Sequence, residues 1–198
     1  MEPGKVIAGL VLAAGGGTRF GSDSKLLADL DGRPVLEWAV AAPCAVPALT
    51  RVVVVLGSRA DQLLARVDFG RAEPVVCDGW EAGQSASLRC GLEALAAVDG
   101  VDRVVVTLGD QPRLTPAVVG LFVTEPPGTR AVYGGRPGHP VVLGRSEIEA
   151  LRSLRGDHGA RGLLDGGRTV EVGHICSGRD VDTPDDLEAL RHEARTVI

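Results

Sequence analysis

The stretch VLAAGGGTRFGSDSK, residues 11–25, runs from an apolar segment straight into glycine. Its first residues continue the run KVIAGLVLA (5–13), which is short, rich in Val and Leu, and free of polar alternation. Such a run reads as a strand buried on both faces, the habit of a parallel sheet flanked by helices. Three consecutive glycines, Gly15, Gly16 and Gly17, follow at once. Without a Cβ, that backbone can turn tightly and aim its N–H groups at an anion. The stretch therefore predicts a first buried strand and a phosphate-holding loop at its carboxyl end.

Working outward, RVVVVLG (51–57) and RVVVTLGD (103–110) repeat the same apolar pattern. EPVVC (73–77), TRAVYG (129–134) and RTVEVG (168–173) are shorter strand candidates. Helical patterns lie between them at 34–45, 58–67, 85–98, 115–123, 146–154 and 183–194. Pro34 stands at a first helical position, and Ser58, Ser85, Thr115, Ser146 and Thr183 stand where N-caps belong. Alternating strands and helices predict a single α/β domain over residues 1–198, doubly wound, with a mostly parallel sheet of Rossmann-like nucleotide-binding topology. Ligands of such sheets sit beyond the carboxyl ends of the strands. AAGGGTR, GDQP and GRPGHP all fall there.

Composition agrees with this reading. Apolar residues make up 44% of 198, but aromatics only 3%, so the core is built from Val, Leu and Ala. With 27 Gly and 12 Pro, the chain has many tight turns and is no helical bundle. A net charge of −5 argues against a general nucleic-acid surface. Cys44, Cys77, Cys90 and Cys176 form no C-x-x-C pair and read as free, largely buried thiols. No run reaches the ~18 apolar residues of a membrane span, and the N-terminus lacks a cleavage pattern. A cytoplasmic protein without nucleic-acid or membrane partners is expected.

Two common phosphate-loop templates fail on spacing. G-x-G-x-x-G set on Gly15 and Gly17 requires glycine where Phe20 stands, and VVVVLGSR offers no ribose-binding acid. G-x-x-x-x-G-K-[ST] set on Gly16 and Gly21 requires lysine where Ser22 stands. What remains is a glycine nest with two cations, Arg19 and Lys25. That set suits a triphosphate; it also suits a plain loop with two solvated charges.

The chain as a whole resembles a known group. LAAGGGTRFGSDSK is similar to the L-A-A-G-x-G-T-R-x-G-x-x-K motif of nucleotidyltransferases that make sugar nucleotides, cytidyl alcohols and molybdenum cofactor dinucleotides. WEAGQSASLRCGL (80–92), LGDQPRLTP (108–116), GRPGHPVVLGR (135–145), GDHGARGLL (156–164) and DVDTPDDL (180–187) resemble later blocks of the MobA-like family in the same order. The resemblance implies a nucleotide-diphospho-sugar transferase type of fold. Ala14 and the KLL of 25–27 resemble the cytidylyl-transferring members, which favours CTP and makes molybdenum cofactor cytidylyltransferases the nearest subgroup. GGTRFG and the ADL after KLL depart from that subgroup's usual residues.

By that resemblance Leu12, Ala13, Ala14, Gly15, Gly16, Gly17, Thr18, Arg19 and Lys25 bind the nucleotide, and Gly83, Ser85 and Ser87 border its base and ribose. Asp110, at the end of an apolar run, is a Mg²⁺ ligand by position and by resemblance. Asp182 is the expected second ligand, with Asp180 structural. Arg19, Lys25 and Asp110 form the catalytic set. His139, Asp157 and His158 are expected at the acceptor, although a histidine in a turn is also a common structural element; Arg161 has either an acceptor anion or Asp157 for a partner.

The reaction implied is transfer of a nucleoside monophosphate from a nucleoside triphosphate to a phosphorylated acceptor, with release of pyrophosphate. The resemblance implies molybdopterin as acceptor, which makes a molybdenum hydroxylase a candidate partner. A sugar or polyol phosphate is the alternative acceptor. An NAD(P)-dependent oxidoreductase and a non-catalytic cofactor carrier are rivals from other classes.

Overall fold

The structure is a computed structural model that describes residues 6–17, 20, 24–96, 100–153 and 167–195. Its frame is a seven-stranded sheet of β1 (Val6–Ala13), β4 (Arg51–Leu56), β5 (Glu73–Val76), β6 (Val101–Leu108), β7 (Arg130–Tyr133), β8 (Arg136–Gly144) and β9 (Thr169–Glu171). A two-residue hairpin, β2 (Asp29–Leu30) with β3 (Arg33–Pro34), stands apart. The sheet order is β5-β4-β1-β6-β8-β7-β9. β5, β4, β1 and β6 pair in parallel, β8 runs against both of its neighbours, and β9 is again parallel to β7. The sheet is mostly parallel, as expected.

Each strand predicted from an apolar run is present, with ends shifted by a few residues. β8 lies in a stretch without a strand expectation, because RPGHPVVLG carries two prolines and two glycines. It is an antiparallel return strand whose buried half is Pro140–Gly144.

Helices cover both faces. α1 (Val35–Cys44), α2 (Ala60–Arg66) and α4 (Pro116–Thr124) bury Leu36, Val40, Leu63, Val118 and Phe122 against Val11, Val54 and Val105. α3 (Gln84–Ala96) and α5 (Arg145–Ser153) cover the other face, where Leu88, Leu92 and Leu151 meet Leu10, Val53 and Val106. α3 lies close because a Cβ on Gly91 would come within 2.8 Å of Val55 Cγ2. α6 (Pro184–Arg195) packs Leu187 and Leu190 on Leu30, Val35 and Val181 instead of on the sheet. Four expected helix starts are corrected. α1 starts at Val35, so Pro34 precedes its first turn, and α5 starts at Arg145, so Ser146 lies inside its first turn. α2 starts after Arg59, which takes a left-handed conformation (φ 59°), so Ser58 does not cap it. α3 starts at Gln84, so Ser85 lies inside the first turn.

Candidate active site

The parallel strands β1 and β6 end side by side, and their following loops meet. Gly109 N donates to Leu12 O at 2.8 Å, and a Cβ on Gly109 would stand 2.7 Å from Ala13 Cβ. Glycine is therefore required for the two loops to touch. Beyond Ala14, whose carbonyl accepts from Ser58 N at 3.1 Å, Gly15 and Gly16 are exposed. Gly17 adopts a left-handed turn (φ 58°) closed by Phe20 N donating to Gly17 O at 3.0 Å. Leu12, Gly15 and Gly17 line a cleft of about 1300 Å³. Leu12, Ala13 and Ala14 are buried, and the exposed backbone of this segment is that of Gly15 and Gly16. Thr18 and Arg19 lie outside the described residues.

Lys25 begins a short 3-10 turn, Lys25–Leu27, with its aliphatic stem against Gly17. Its Nζ donates to Asp110 Oδ2 at 2.6 Å and to Asp182 Oδ1 at 2.9 Å. Lys25 is almost wholly buried, while the side chains of Asp110 and Asp182 keep 21% and 31% of their surface open. Burial alone would lower the ammonium pKa; the Asp110 and Asp182 carboxylates outweigh it, and the net shift is upward. Lys25 is thus a fixed cation with two carboxylates on one side.

The acids are held from behind. Val181 N donates to Asp110 O at 2.9 Å. Thr183 and Asp186 form a reciprocal cap at the start of α6: Thr183 N and Oγ1 donate to Asp186 Oδ2 at 2.8 and 2.7 Å, and Asp186 N donates to Thr183 Oγ1 at 3.2 Å. The expected Thr183 cap is present, and Asp182 N also donates to that carboxylate at 3.2 Å. Asp180 faces Gln111, which donates from Nε2 to its Oδ1 at 2.8 Å and to Gly178 O at 3.1 Å. Asp180 keeps much of its surface open, yet burial of the carboxyl, reinforced by Asp110 and Asp182, pushes its pKa up to about 6. The opposite edge of Gln111, Oε1, is buried without a partner. Sequence reasoning passed over Gln111; its signal was a polar side chain directly after Asp110 in GDQP.

Among the described residues no three His, Cys, Asp or Glu side chains form a ready metal cage. The donors present still fit a hard divalent cation: Asp110 and Asp182 bring two partly open carboxylates together on Lys25 in the cleft.

Two further walls complete the cleft. On one, Gly83 (φ 101°) precedes α3, Gln84 and Leu88 line the opening, and Ser87 is buried. On the other stand β7, β8 and the loop before α6. Tyr133 packs its ring on Gly138 and Gly178 and donates from Oη to His139 O at 2.6 Å. His139 lines the cleft, and enclosure of its imidazole, with the Arg130 guanidinium nearby, pushes its pKa down to about 4. Its side chain is therefore neutral. The peptide bond from His139 to Pro140 is cis. Asp157, His158 and Arg161 lie outside the described residues.

Residues 9–172 match the MobA-like NTP transferase domain. The chain belongs to that family. This MobA-like chain is 33% identical over 202 residues to the nicotine blue oxidoreductase of Paenarthrobacter nicotinovorans, covering 93% of this chain and 96% of the relative. Among solved structures, it resembles the Rv0371c protein of Mycobacterium tuberculosis H37Rv (TM-score 0.81, 31% identity, 96% and 99% of the two chains). That protein is also known as a manganese complex (TM-score 0.77, 29% identity, 94% and 98%). A nucleotidyl transferase from Methanothermobacter thermautotroptrophicus superposes with TM-score 0.78 at 25% identity over 98% and 100%. The MobA-like chain has the nucleotide-diphospho-sugar transferase-like α/β fold.

Proposed function

We propose that this nucleotidyltransferase-family chain works as one domain that moves CMP from CTP onto a phosphorylated acceptor of the molybdopterin class, releasing pyrophosphate, with Mg²⁺ as cofactor. The observation that carries this reading is Lys25, held at 2.6 and 2.9 Å between Asp110 and Asp182 at the rim of the cleft. Ala14 and the KLL of 25–27 support CTP. The cleft, about 1300 Å³, has room for a nucleotide and a second substrate.

Asp110 and Asp182 would hold Mg²⁺, which when bound neutralises charge on phosphate oxygens. The protein groups then have separate tasks. Backbone N–H groups of Gly15 to Gly17 cradle the triphosphate, with Arg19 and Lys25 offsetting the charge that gathers on leaving pyrophosphate. Gly83, Ser85 and Ser87 border base and ribose, and His139 with Asp157 and His158 borders the acceptor. An ionised oxygen of the acceptor phosphate bonds to the α-phosphorus as the bond from α-phosphorus to the bridging oxygen breaks. No proton must be removed, so positioning and electrostatics carry the rate. A molybdenum hydroxylase is the partner class that would use such a product, and the cytoplasm is its place.

Thermal stability with each of CTP, GTP, ATP and UTP, with and without Mg²⁺, tests the donor. A specific ligand at a hundredfold excess over Kd stabilises by about 2.7 kcal/mol. A Mg²⁺-dependent shift with CTP, followed by pyrophosphate release on adding molybdopterin, is expected. No shift with any triphosphate would sink the proposal. Pyrophosphate release with a sugar or polyol phosphate would change the acceptor only.

A second reading, an NAD(P)-dependent oxidoreductase, has one observation behind it: the oxidoreductase name of the Paenarthrobacter relative. Phe20 in place of the third glycine weighs against it, as does Leu56-Gly57-Ser58 in place of a ribose acid at the end of β4. Metal-independent NADPH oxidation would reverse that preference.

A further inference from the structure

Arg130 opens β7 opposite Val141 on β8 and Thr169 on β9. Cross-strand partners share a sheet face. Val141 in turn faces Val106, so Arg130 shares the apolar face of Val106 and Val141 that α3 and α5 cover. Its Nε is buried without a hydrogen-bond partner. Arg51, Arg113, Arg145 and Arg168 pair with Glu73, Asp31, Asp102 and Glu125. Among the described residues Arg130 pairs with no carboxylate, and its side chain lines the cleft. Arg130 is half-buried, and leaving its enclosed Nε–H without an acceptor costs free energy that a bound anion would recover. His139 stands beside it on the cleft wall as a neutral imidazole, able to offer an N–H without adding charge.

The site is remote from the Lys25 cluster. Two strand spacings separate β7 from β6, and Arg130 is level with Val106, four residues before Asp110. With strands roughly 4.8 Å apart and a rise of about 3.3 Å per residue, the two Cα atoms are roughly 16 Å apart.

We propose that Arg130, assisted by His139, forms a subsite for an oxyanion of the second substrate, distinct from the phosphate that reacts. Assigning the oxyanion to the second substrate rests on the transferase reading; the anion site itself does not. An acceptor with one terminal phosphate and no second oxyanion would leave the guanidinium unmatched. Phosphate, carboxylate and oxometallate groups share the required chemistry, since each presents two oxygens to the guanidinium fork.

The test is a proton–nitrogen correlation spectrum of arginine side chains in the full chain, with the Arg130 Nε–H resonance assigned by its loss in Arg130→Met. Inorganic phosphate, malonate and molybdate are titrated separately. The Arg130 resonance is expected to move in a saturable way with at least one, and the strongest response identifies the class of group. No movement with any of the three overturns the subsite. Arg130→Met should also melt no lower than the parent in the absence of ligand, because it removes an enclosed Nε–H that has no acceptor; a lower melting temperature would make Arg130 structural and overturn the proposal. The shift with CTP and Mg²⁺ is measured on both proteins in parallel. Its absence from both would remove the transferase reading and leave the anion result standing.

Discussion

The backbone N–H of Val181 donates to the carbonyl of Asp110 at 2.9 Å. This bond fastens the loop after β6 to the segment that enters α6, and each of those segments delivers one carboxylate to Lys25. The cluster therefore depends on three parts of the chain being docked together.

Lys25→Met should lower turnover in pyrophosphate release by about 100-fold or more, the range for removing one preorganised charge. It also leaves Asp110 and Asp182 without their shared cation. Mg²⁺ should then raise the melting temperature of the variant more than that of the parent. An equal response in both proteins would detach the lysine from the carboxylate site.

Arg113 ties the same parts from outside. Its Nη2 donates to Asp31 Oδ2 at 2.8 Å and to Leu190 O at 3.0 Å, joining the hairpin after Lys25 to the helix after Asp182. Arg113→Ala should cost about 1 kcal/mol of stability, with a larger proportional loss in kcat than in KM. Arg113→Lys should restore part of the kcat. A change in stability alone, with kinetics intact, would mean that the cluster assembles without this tie.

His139 gives a pH prediction. Its folded pKa is about 4, below the ordinary 6.5, so the unfolded chain takes up a proton that the folded one refuses. Stability from this group is complete above about pH 6.5 and is lost as pH falls towards 4, by on the order of 3 kcal/mol at most. Chemical denaturation at half-unit pH steps should show a shallower acid loss in His139→Asn. Identical slopes would mean that the histidine protonates in the folded state.

Gly57 lies where β4 passes under the glycine loop. A Cβ there would stand 2.6 Å from Ala14 O and 2.5 Å from Trp80 Cγ, one of them backbone. Gly57→Ala should destabilise by about 1–3 kcal/mol and weaken nucleotide binding, because relief requires moving the segment that leads into the loop. Undiminished CTP binding in a destabilised variant would separate the two effects.

Much of this was legible in the residues. Val-rich runs without alternation located β1, β4 and β6 because strands buried on two faces have no polar side to show. Thr183, three residues before Asp186, announced the start of α6 through its cap chemistry. β8 was opaque because its prolines and glycines carry the signs of a turn, and only pairing with β6 and β7 makes it a strand. The Ser58 cap failed because Arg59 turns left-handed and starts the helix two residues later. At the site, Lys25, Asp110 and Asp182 could be singled out by type and position. Their convergence on one ammonium could not, since separations of 85 and 157 residues are closed only by tertiary contact. Arg130 gave no signal at all: an arginine at the start of a strand looks solvated until its neighbours are known.

The reversed direction of β8 divides the molecule into two kinds of territory. The parallel half owes its rim to strand exits, so each loop there is committed to a following helix that must pack back on the sheet. The rim over β7 and β8 is instead a hairpin bend at Gly134 and Gly135, fastened by Glu171, whose Oε1 and Oε2 accept from their N–H groups at 3.0 and 3.2 Å. A bend of that kind can lengthen or change residues while β6 and β1 keep their register. A lineage could therefore exchange what it recognises on this side and leave the opposite half, with its glycine loop, untouched.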